Sequence, residues 1–296
     1  MEKQSVIRKK RRSILYVPGD SEKMLRRSAE TSADVILFNL EDGVADTRKE
    51  QARDNVLSVL NLAPPGNQER IVRVNSPHLE IGQKDIAAVV PLKPDGICLP
   101  KIENRSQIQR VDASVRDIEV KSGVFEGSVQ LHAMIESASG ILNAAEIAAA
   151  SPRMASLIFG SADFVDDIRC SPGEDRTEFL LAMQTIVLAS RAAGIDAIDA
   201  PCFDIRNQAL LERESEAARR LGFDGKSALH PGQLEIINRI FDVSMEEIAW
   251  AEKVLKELDE AERRGKALSV LDGSLIDNPH RAAAQRILRQ ASKPEN

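Results

Sequence analysis

The stretch VQLHAMIESASGILNAAEIAAA, residues 129–150, decides the fold. Residues 129–135 make an apolar, strand-like run that ends in a carboxylate, Glu136. Small turn residues follow, and a helical pattern continues over 140–150. This is one strand–turn–helix unit. The unit recurs along most of the chain. Strand-like runs stand at 13–17, 35–39, 70–75, 96–100, 129–135, 154–159, 196–200 and 225–229, with helical patterns at 21–32, 46–60, 83–90, 104–121, 140–150, 175–193, 207–221 and 232–241. Eight such units in succession predict an α/β fold, a parallel (β/α)8 TIM barrel. A doubly wound open sheet is the alternative that strand count alone leaves open.

Beyond 242 the pattern changes. EEIAWAEKVLKELDEAERRG (246–265) reads as a charged amphipathic helix, a second short helix falls at about 279–290, and ALSVLDGSLIDNPH (267–280) lies between them. The expected organisation is therefore a barrel domain over 1–242 and a C-terminal helical extension over 243–296, too small to stand as a domain of its own.

Composition narrows the partners. Of 296 residues, 43% are apolar but only 3% aromatic, which suits aliphatic helix-on-sheet packing better than stacking platforms for bases. The formal net charge of −6 argues against nucleic acid, whose phosphates require a basic surface. No apolar run approaches the roughly 20 residues needed to span a bilayer, so no membrane partner is expected. The basic start MEKQSVIRKKRR lacks the apolar segment of a secretory leader. Three cysteines without CxxC spacing, Cys98, Cys170 and Cys202, read as reduced thiols of a cytoplasmic protein.

Barrel active sites lie at the C-terminal ends of the strands. Those ends carry Gly19, Asp42, Arg73 with Asn75, Lys101, Glu136, Ser161 with Ala162 and Asp163, Asp199 and His230. Glu136 and Asp163 follow consecutive strands, which in a barrel lie about 5 Å apart. Two close carboxylates repel unless a proton or cation lies between them. With oxygen donors and no neighbouring histidine or cysteine, a hard ion such as Mg²⁺ fits better than zinc. The competing reading, that each carboxylate caps the helix after it, stays open. Arg73 lies within the apolar run RIVRVN, and alternation puts it on one face with Asn75. An inward arginine suits a bidentate anion such as a substrate carboxylate, or a structural pair with Glu41 or Asp42. GFDGKSAL contains Gly-Lys-Ser, but Arg220 stands where a phosphate loop needs glycine.

Taken together, RRSILYVPGD (11–20), FNLEDGVADTRKEQAR (38–53), IVRVN (71–75), GICLPKIE (96–103), AMIESASGILNAAEIA (133–148), IFGSADF (158–164), LGFDGKSALHPGQ (221–233) and LIDNPH (275–280) resemble the citrate lyase beta-subunit family. The wider group of Mg²⁺-dependent barrel lyases includes malyl-CoA and citramalyl-CoA lyases. The resemblance implies that Glu136 and Asp163 ligate Mg²⁺, with Mn²⁺ as an alternative, and that Arg73 holds the α-oxo carboxylate moiety of the substrate. It implies that Asp277 is an acid–base residue on a C-terminal lid that reaches a neighbouring subunit's site in a homotrimer or dimer of trimers. Asn278 before Pro279 makes a good cap pair, which would leave Asp277 free for that task. Gly19, Asp42, Lys101, Ser161 and Ala162 are the candidate substrate contacts. Arg12 and Lys23, with Arg11, are candidates for the phosphates of coenzyme A. The family usually has aspartate where this chain has Asn39. The expected activity is cleavage of a 3-hydroxyacyl-CoA thioester to acetyl-CoA and an α-oxo acid. The alternatives are a malyl-CoA thioesterase, or a beta subunit active only with other citrate lyase subunits.

Overall fold

The computed structural model describes residues 10–62 and 66–292. Eight parallel strands, β1 (Ser13–Pro18), β2 (Val35–Asn39), β3 (Glu69–Arg73), β4 (Gly96–Leu99), β5 (Gln130–Ile135), β6 (Met154–Phe159), β7 (Asp196–Asp199) and β8 (Gly225–Ala228), follow one another in spatial order. β8 pairs with β1, Ser13 opposite Lys226 and Leu15 opposite Ala228, and this closes the barrel. The open-sheet alternative is thereby excluded. The surrounding helices are α1 (Glu22–Ser28), α2 (Lys49–Leu60), α3 (Glu80–Val89), α4 (Arg105–Lys121), α5 (Ala138–Leu142), α6 (Ala144–Ala148), α7 (Ser161–Ile168), α8 (Leu180–Ala193), α9 (Gln208–Leu221) and α10 (Leu234–Phe241).

The strands are apolar nearly throughout because both faces are covered. Alternate residues, Ile14, Val35, Leu37, Ile71, Cys98, Met134, Ile158 and Ile198, fill the barrel interior together with Tyr16. Their neighbours, such as Leu15, Ile36, Phe38, Val72, Ile97 and Leu157, pack outward under the helices. The helix α7, in SADFVDDI, has no counterpart among the expected helices. It is short and acidic, and it ends at Arg169 in a left-handed turn.

The amino-terminal end of the barrel is sealed by charge. Arg11, just before β1, reaches the first residues of β3, β5 and β7. Its guanidinium grips Glu69 through two bonds of 2.5 and 2.8 Å, Asp196 at 2.7 Å and the Gln130 side-chain oxygen at 2.7 Å. Side chains from alternate strands forming one layer is how such barrels are filled. Beside it, Arg12 forms a two-pronged pair with the buried Asp34. Arg11 and Arg12 are therefore not at the mouth, where a coenzyme A phosphate would have to bind. Residues that precede a strand in a parallel barrel lie at the opposite end from those that follow it, and both arginines are engaged there.

A second compact unit comprises Lys10 and the chain from Asp242 onward. It contains α11 (Met245–Arg263), a two-stranded antiparallel ribbon, β9 (Ser269–Leu271) with β10 (Ser274–Ile276), and α12 (Asn278–Ala291). The ribbon turns at Asp272-Gly273, both with positive φ, the backbone that a two-residue hairpin turn demands. Ala251, Val254, Leu258, Ile276 and Ala284 form its own small core. No helix among the described residues is long and apolar enough to cross a membrane.

Arg11→Ala would leave the buried Glu69 carboxylate without the guanidinium that grips both its oxygens. Urea denaturation should show a loss of about 3–5 kcal/mol; a change below about 1 kcal/mol would mean that the seal does not contribute to stability.

Candidate active site

At the other end of the barrel the strand ends bring four carboxylates together: Glu41, Asp42, Glu136 and Asp163. Glu136 leaves β5 directly into the mouth and is 2% exposed. It does not cap the next helix. Ser137 does so, its hydroxyl accepting the Gly140 amide at 3.1 Å and donating to Glu103 Oε1 at 3.0 Å. Asp167 takes the Ala138 amide at 2.7 Å. With the turn satisfied by other groups, the Glu136 carboxylate is left to face inward. Its Oε1 accepts the Lys101 amide at 2.6 Å, and its Oε2 is buried with no hydrogen-bond partner among the described residues. Gly160 makes room for it, since a Cβ there would lie 2.4 Å from Oε2.

Asp163 sits in the first turn of α7 rather than at the strand end, its side chain 38% exposed. The N-cap of α7 is Gly160, so Asp163 is not a helix cap either. The Lys101 ammonium lies 3.5 Å from Asp163 and 3.8 Å from Glu41, which draws the cluster together. Burial, reinforced by Asp163 and Glu41, outweighs Arg73 and pushes the Glu136 carboxyl up to about 7. Burial likewise raises Glu41 against the pull of Arg73. The reverse balance holds for Lys101, where Asp42, Asp163 and the glutamates outweigh burial and raise the ammonium.

Arg73 ends β3 with its guanidinium buried. It pairs with Glu41 at 2.5 Å and lies 3.5 Å from Asp42, which is the structural pairing that the sequence left open. The pairing does not exhaust the side chain, because Nε is buried with no hydrogen-bond partner among the described residues. Asn75 does not join Arg73. Its side chain turns to the fully buried Asp85 on α3 at 2.7 Å, because the strand ends at Arg73 and alternation no longer applies beyond it.

The loop after β2 is held by residues with no evident sequence signal. The buried Lys49 donates to the Leu40 and Glu41 carbonyls at 3.0 and 2.9 Å. Asn39 accepts the Glu41 amide at 3.0 Å, a bond that a neutral amide oxygen makes as readily as a carboxylate. Gly43 leaves room for the Asn39 amide, which a Cβ there would approach to 2.6 Å. Gly19 donates its amide to the Asn39 carbonyl at 2.8 Å, so the ends of β1 and β2 pack as one rim. Ser161 is buried at the start of α7 and Ala162 beside it is exposed. Lys23 is exposed in the first turn of α1, on the mouth side.

Asp277 is itself the N-cap of α12, one residue earlier than the cap expected at Asn278. Its carboxylate lies 2.6 Å from His280 Nδ1 and its side chain is 46% exposed. Asp277 is thus accessible but not free of partners.

The donor set at the mouth is all oxygen. Among the described residues no three His, Cys, Asp or Glu side chains converge as a metal cage. Mg²⁺ needs none, because one or two carboxylates hold it while water and substrate oxygens complete the shell. Glu136, with its unbonded buried oxygen, and Asp163 fit that requirement.

A closed (β/α)8 barrel with a carboxylate cluster and a buried arginine at its C-terminal mouth is the frame of a metal-assisted barrel enzyme acting on an anionic substrate. The model of the HpcH/HpaI aldolase/citrate lyase family matches residues 12–231, and that of a carbon–carbon bond lyase of the TIM-barrel fold matches 174–293. A (3S)-malyl-CoA thioesterase of Cereibacter sphaeroides is 37% identical over 280 residues, 95% of this chain and 94% of that one. Citrate lyase subunit beta of Leuconostoc mesenteroides subsp. cremoris is 34% identical, with 95% and 93% covered. Among solved structures, CitE from Mycobacterium tuberculosis in complex with magnesium, acetoacetate and coenzyme A superposes with a TM-score of 0.76 at 27% identity, covering 94% of this chain and 97% of that one. The chain belongs to the HpcH/HpaI aldolase/citrate lyase family.

Gly160→Ala tests the cradle directly. The new methyl group would push Glu136 aside, and titration of the folded variant with Mn²⁺ should show a loss of affinity of about 10- to 100-fold, with overpacking lowering stability by about 1–3 kcal/mol. Unchanged affinity would mean that Glu136 takes no part in holding an ion.

Proposed function

We propose that this protein is a Mg²⁺-dependent carbon–carbon lyase that cleaves a 3-hydroxyacyl-CoA thioester of the citramalyl, malyl or citryl type to acetyl-CoA and an α-oxo acid. The observation that carries this reading is a pair of buried polar atoms without hydrogen-bond partners among the described residues: the acceptor Glu136 Oε2 and the donor Arg73 Nε. A buried carboxylate oxygen calls for a cation and a buried guanidinium N–H calls for an anion. A divalent ion together with a carboxylate-bearing substrate supplies both, and the magnesium- and acetoacetate-bound CitE supports that combination.

Glu136 and Asp163 are the residues that would hold Mg²⁺, or Mn²⁺ in its place. When bound there, such an ion would supply Lewis-acid polarisation of substrate oxygens. Arg73 donates to the same oxygens and offsets the charge that grows on them. Gly19, Asp42, Lys101, Ser161 and Ala162 border the substrate, and Lys23 faces the phosphates of coenzyme A. Cleavage breaks the bond between the thioester α-carbon and the hydroxyl-bearing carbon. The hydroxyl gives its proton to solvent water and becomes the oxo group, while the bonding pair passes to the thioester fragment as an enolate. The α-carbon of that enolate needs a proton, and Asp277 is the assigned acid, delivered by the C-terminal extension of a neighbouring subunit in a homotrimer or dimer of trimers. In the condensing direction it is the base.

The identity to the malyl-CoA thioesterases favours a second reading. There water attacks the thioester carbonyl, the carbon–sulfur bond breaks, and coenzyme A leaves as the thiol. The citrate lyase beta subunits favour a third, activity only within a larger complex. Purified protein incubated with Mg²⁺ and a panel of 3-hydroxyacyl-CoA thioesters separates them by mass spectrometry. Acetyl-CoA with an α-oxo acid supports the lyase, free coenzyme A with a hydroxy acid supports the hydrolase, and turnover only with added partner subunits supports the third. Glu136→Gln and Asp163→Asn should each lower kcat/KM by about 10³-fold or more. Asp277→Asn should lower kcat by about 10²- to 10⁴-fold and leave Mn²⁺ affinity unchanged.

A further inference from the structure

Lys101 touches the carboxylate cluster in two ways at once. Its backbone N–H donates to Glu136 Oε1 at 2.6 Å, and its ammonium lies 3.5 Å from Asp163 Oδ1 and 3.8 Å from Glu41 Oε1. The residue has a φ of 55°, the left-handed region. A side chain there costs about 1–2 kcal/mol relative to ordinary backbone, and such strain is characteristically stored at functional sites. The ammonium distances are those of loose ion pairs rather than hydrogen bonds, and the side chain is 50% exposed, so it can leave without a large penalty.

The charge balance gives this arrangement a meaning. Four carboxylates, Glu41, Asp42, Glu136 and Asp163, face two cations, Arg73 and Lys101. The formal surplus is two negative charges, which one divalent ion would neutralise. Arg73 is buried and bound to Glu41 and cannot move out of the way. Lys101 can.

We infer that Lys101 is a tethered cation that stands beside Asp163 and Glu41 in place of a divalent ion and gives way to that ion when it arrives. Displacement frees the ammonium at the mouth just as the site becomes able to take an anionic substrate. Ion binding and substrate binding are thereby coupled, with the ion first. The inference rests on the reading of Glu136 and Asp163 as ion ligands.

The test is Mn²⁺ binding to the full-length, metal-stripped protein, followed by calorimetry and by electron paramagnetic resonance of the free ion. Removing the competing cation should tighten Mn²⁺ binding about two- to fivefold in Lys101→Met, the range of a half-exposed ion pair. Lys101→Arg keeps the charge and should bind like wild type. Lys101→Gln serves as the neutral variant if the methionine protein does not fold. Binding in the neutral variant that equals or falls below wild type overturns the inference, as does equal tightening in Lys101→Arg. Absence of Mn²⁺ binding by the wild type, or retained binding in Glu136→Gln, sinks the ion-ligand reading itself, which is a different failure.

Discussion

Burying like charges together is the constraint around which the mouth of this barrel is organised. Glu41 and Glu136 are both nearly inaccessible to water, and Asp163 and Asp42 stand beside them. In a medium less polarisable than water, such charges repel strongly unless something answers them. The chain answers in part: Arg73 is bound to Glu41, the Lys101 amide is bound to Glu136, and the Lys101 ammonium spans Asp163 and Glu41. Among the described residues the answer is incomplete by one acceptor on Glu136 and one donor on Arg73. Everything that shapes the rim, from Lys49 beneath the Glu41 loop to the missing side chain at Gly160, fixes where those two atoms lie.

The contrast with the opposite end is instructive. There Arg11 meets Glu69, Asp196 and Gln130, and Arg12 meets Asp34 through both prongs of its guanidinium. Near the outer helices a third cluster joins Lys226 to Asp199 at 2.7 Å and Arg176 to the same aspartate, which holds the Asp199 carboxyl down at about 2 despite complete burial. Buried charges in those places are matched within the chain, so they confer rigidity. At the mouth they are matched only in part, which is what a binding site requires. The barrel thus keeps its matched charges at the sealed end and under the outer helices, and its partly matched ones around Glu136 and Arg73.

How far the sequence disclosed this depends on what kind of signal each residue carries. Strands buried on both faces announce themselves as continuous apolar runs, and β2 and β6 begin and end where those runs do. Helix α7 is only eight residues long and is separated from the end of β6 by Gly160 alone, so a strand-end reading of Asp163 hid that it lies on a helical turn. The Asp272-Gly273 pair is a hairpin signal, but the strands it joins are three residues each, too short to show alternation. Arg11 and Arg12 looked like phosphate ligands on charge alone. Their place before β1, rather than after it, sends them to the sealed end. Asn75 shares an alternation with Arg73 on paper, but the strand stops between them. Lys49, Asn39 and Asp85 act through backbone amides, carbonyls and side-chain amides on other elements, and no spacing rule encodes such partners.

The lyase and hydrolase readings make almost identical demands on these residues. Both need a thioester held near an oxygen-ligated ion, with Arg73 on the acidic end of the substrate. They part at the next step, where an enolate carbon takes a proton in one and a thioester carbonyl takes water in the other. A carboxylate such as Asp277 can serve either step, as acid toward carbon or as base toward water, and its pairing with His280 suits both. The distinction therefore does not lie in which charged groups are present. It lies in whether water reaches the thioester while the carbon–carbon bond is weakened. Relatives with over a third of their residues in common with this chain bear the name of a hydrolase within an aldolase/citrate lyase family, so the shared charged groups do not by themselves decide between the two reactions.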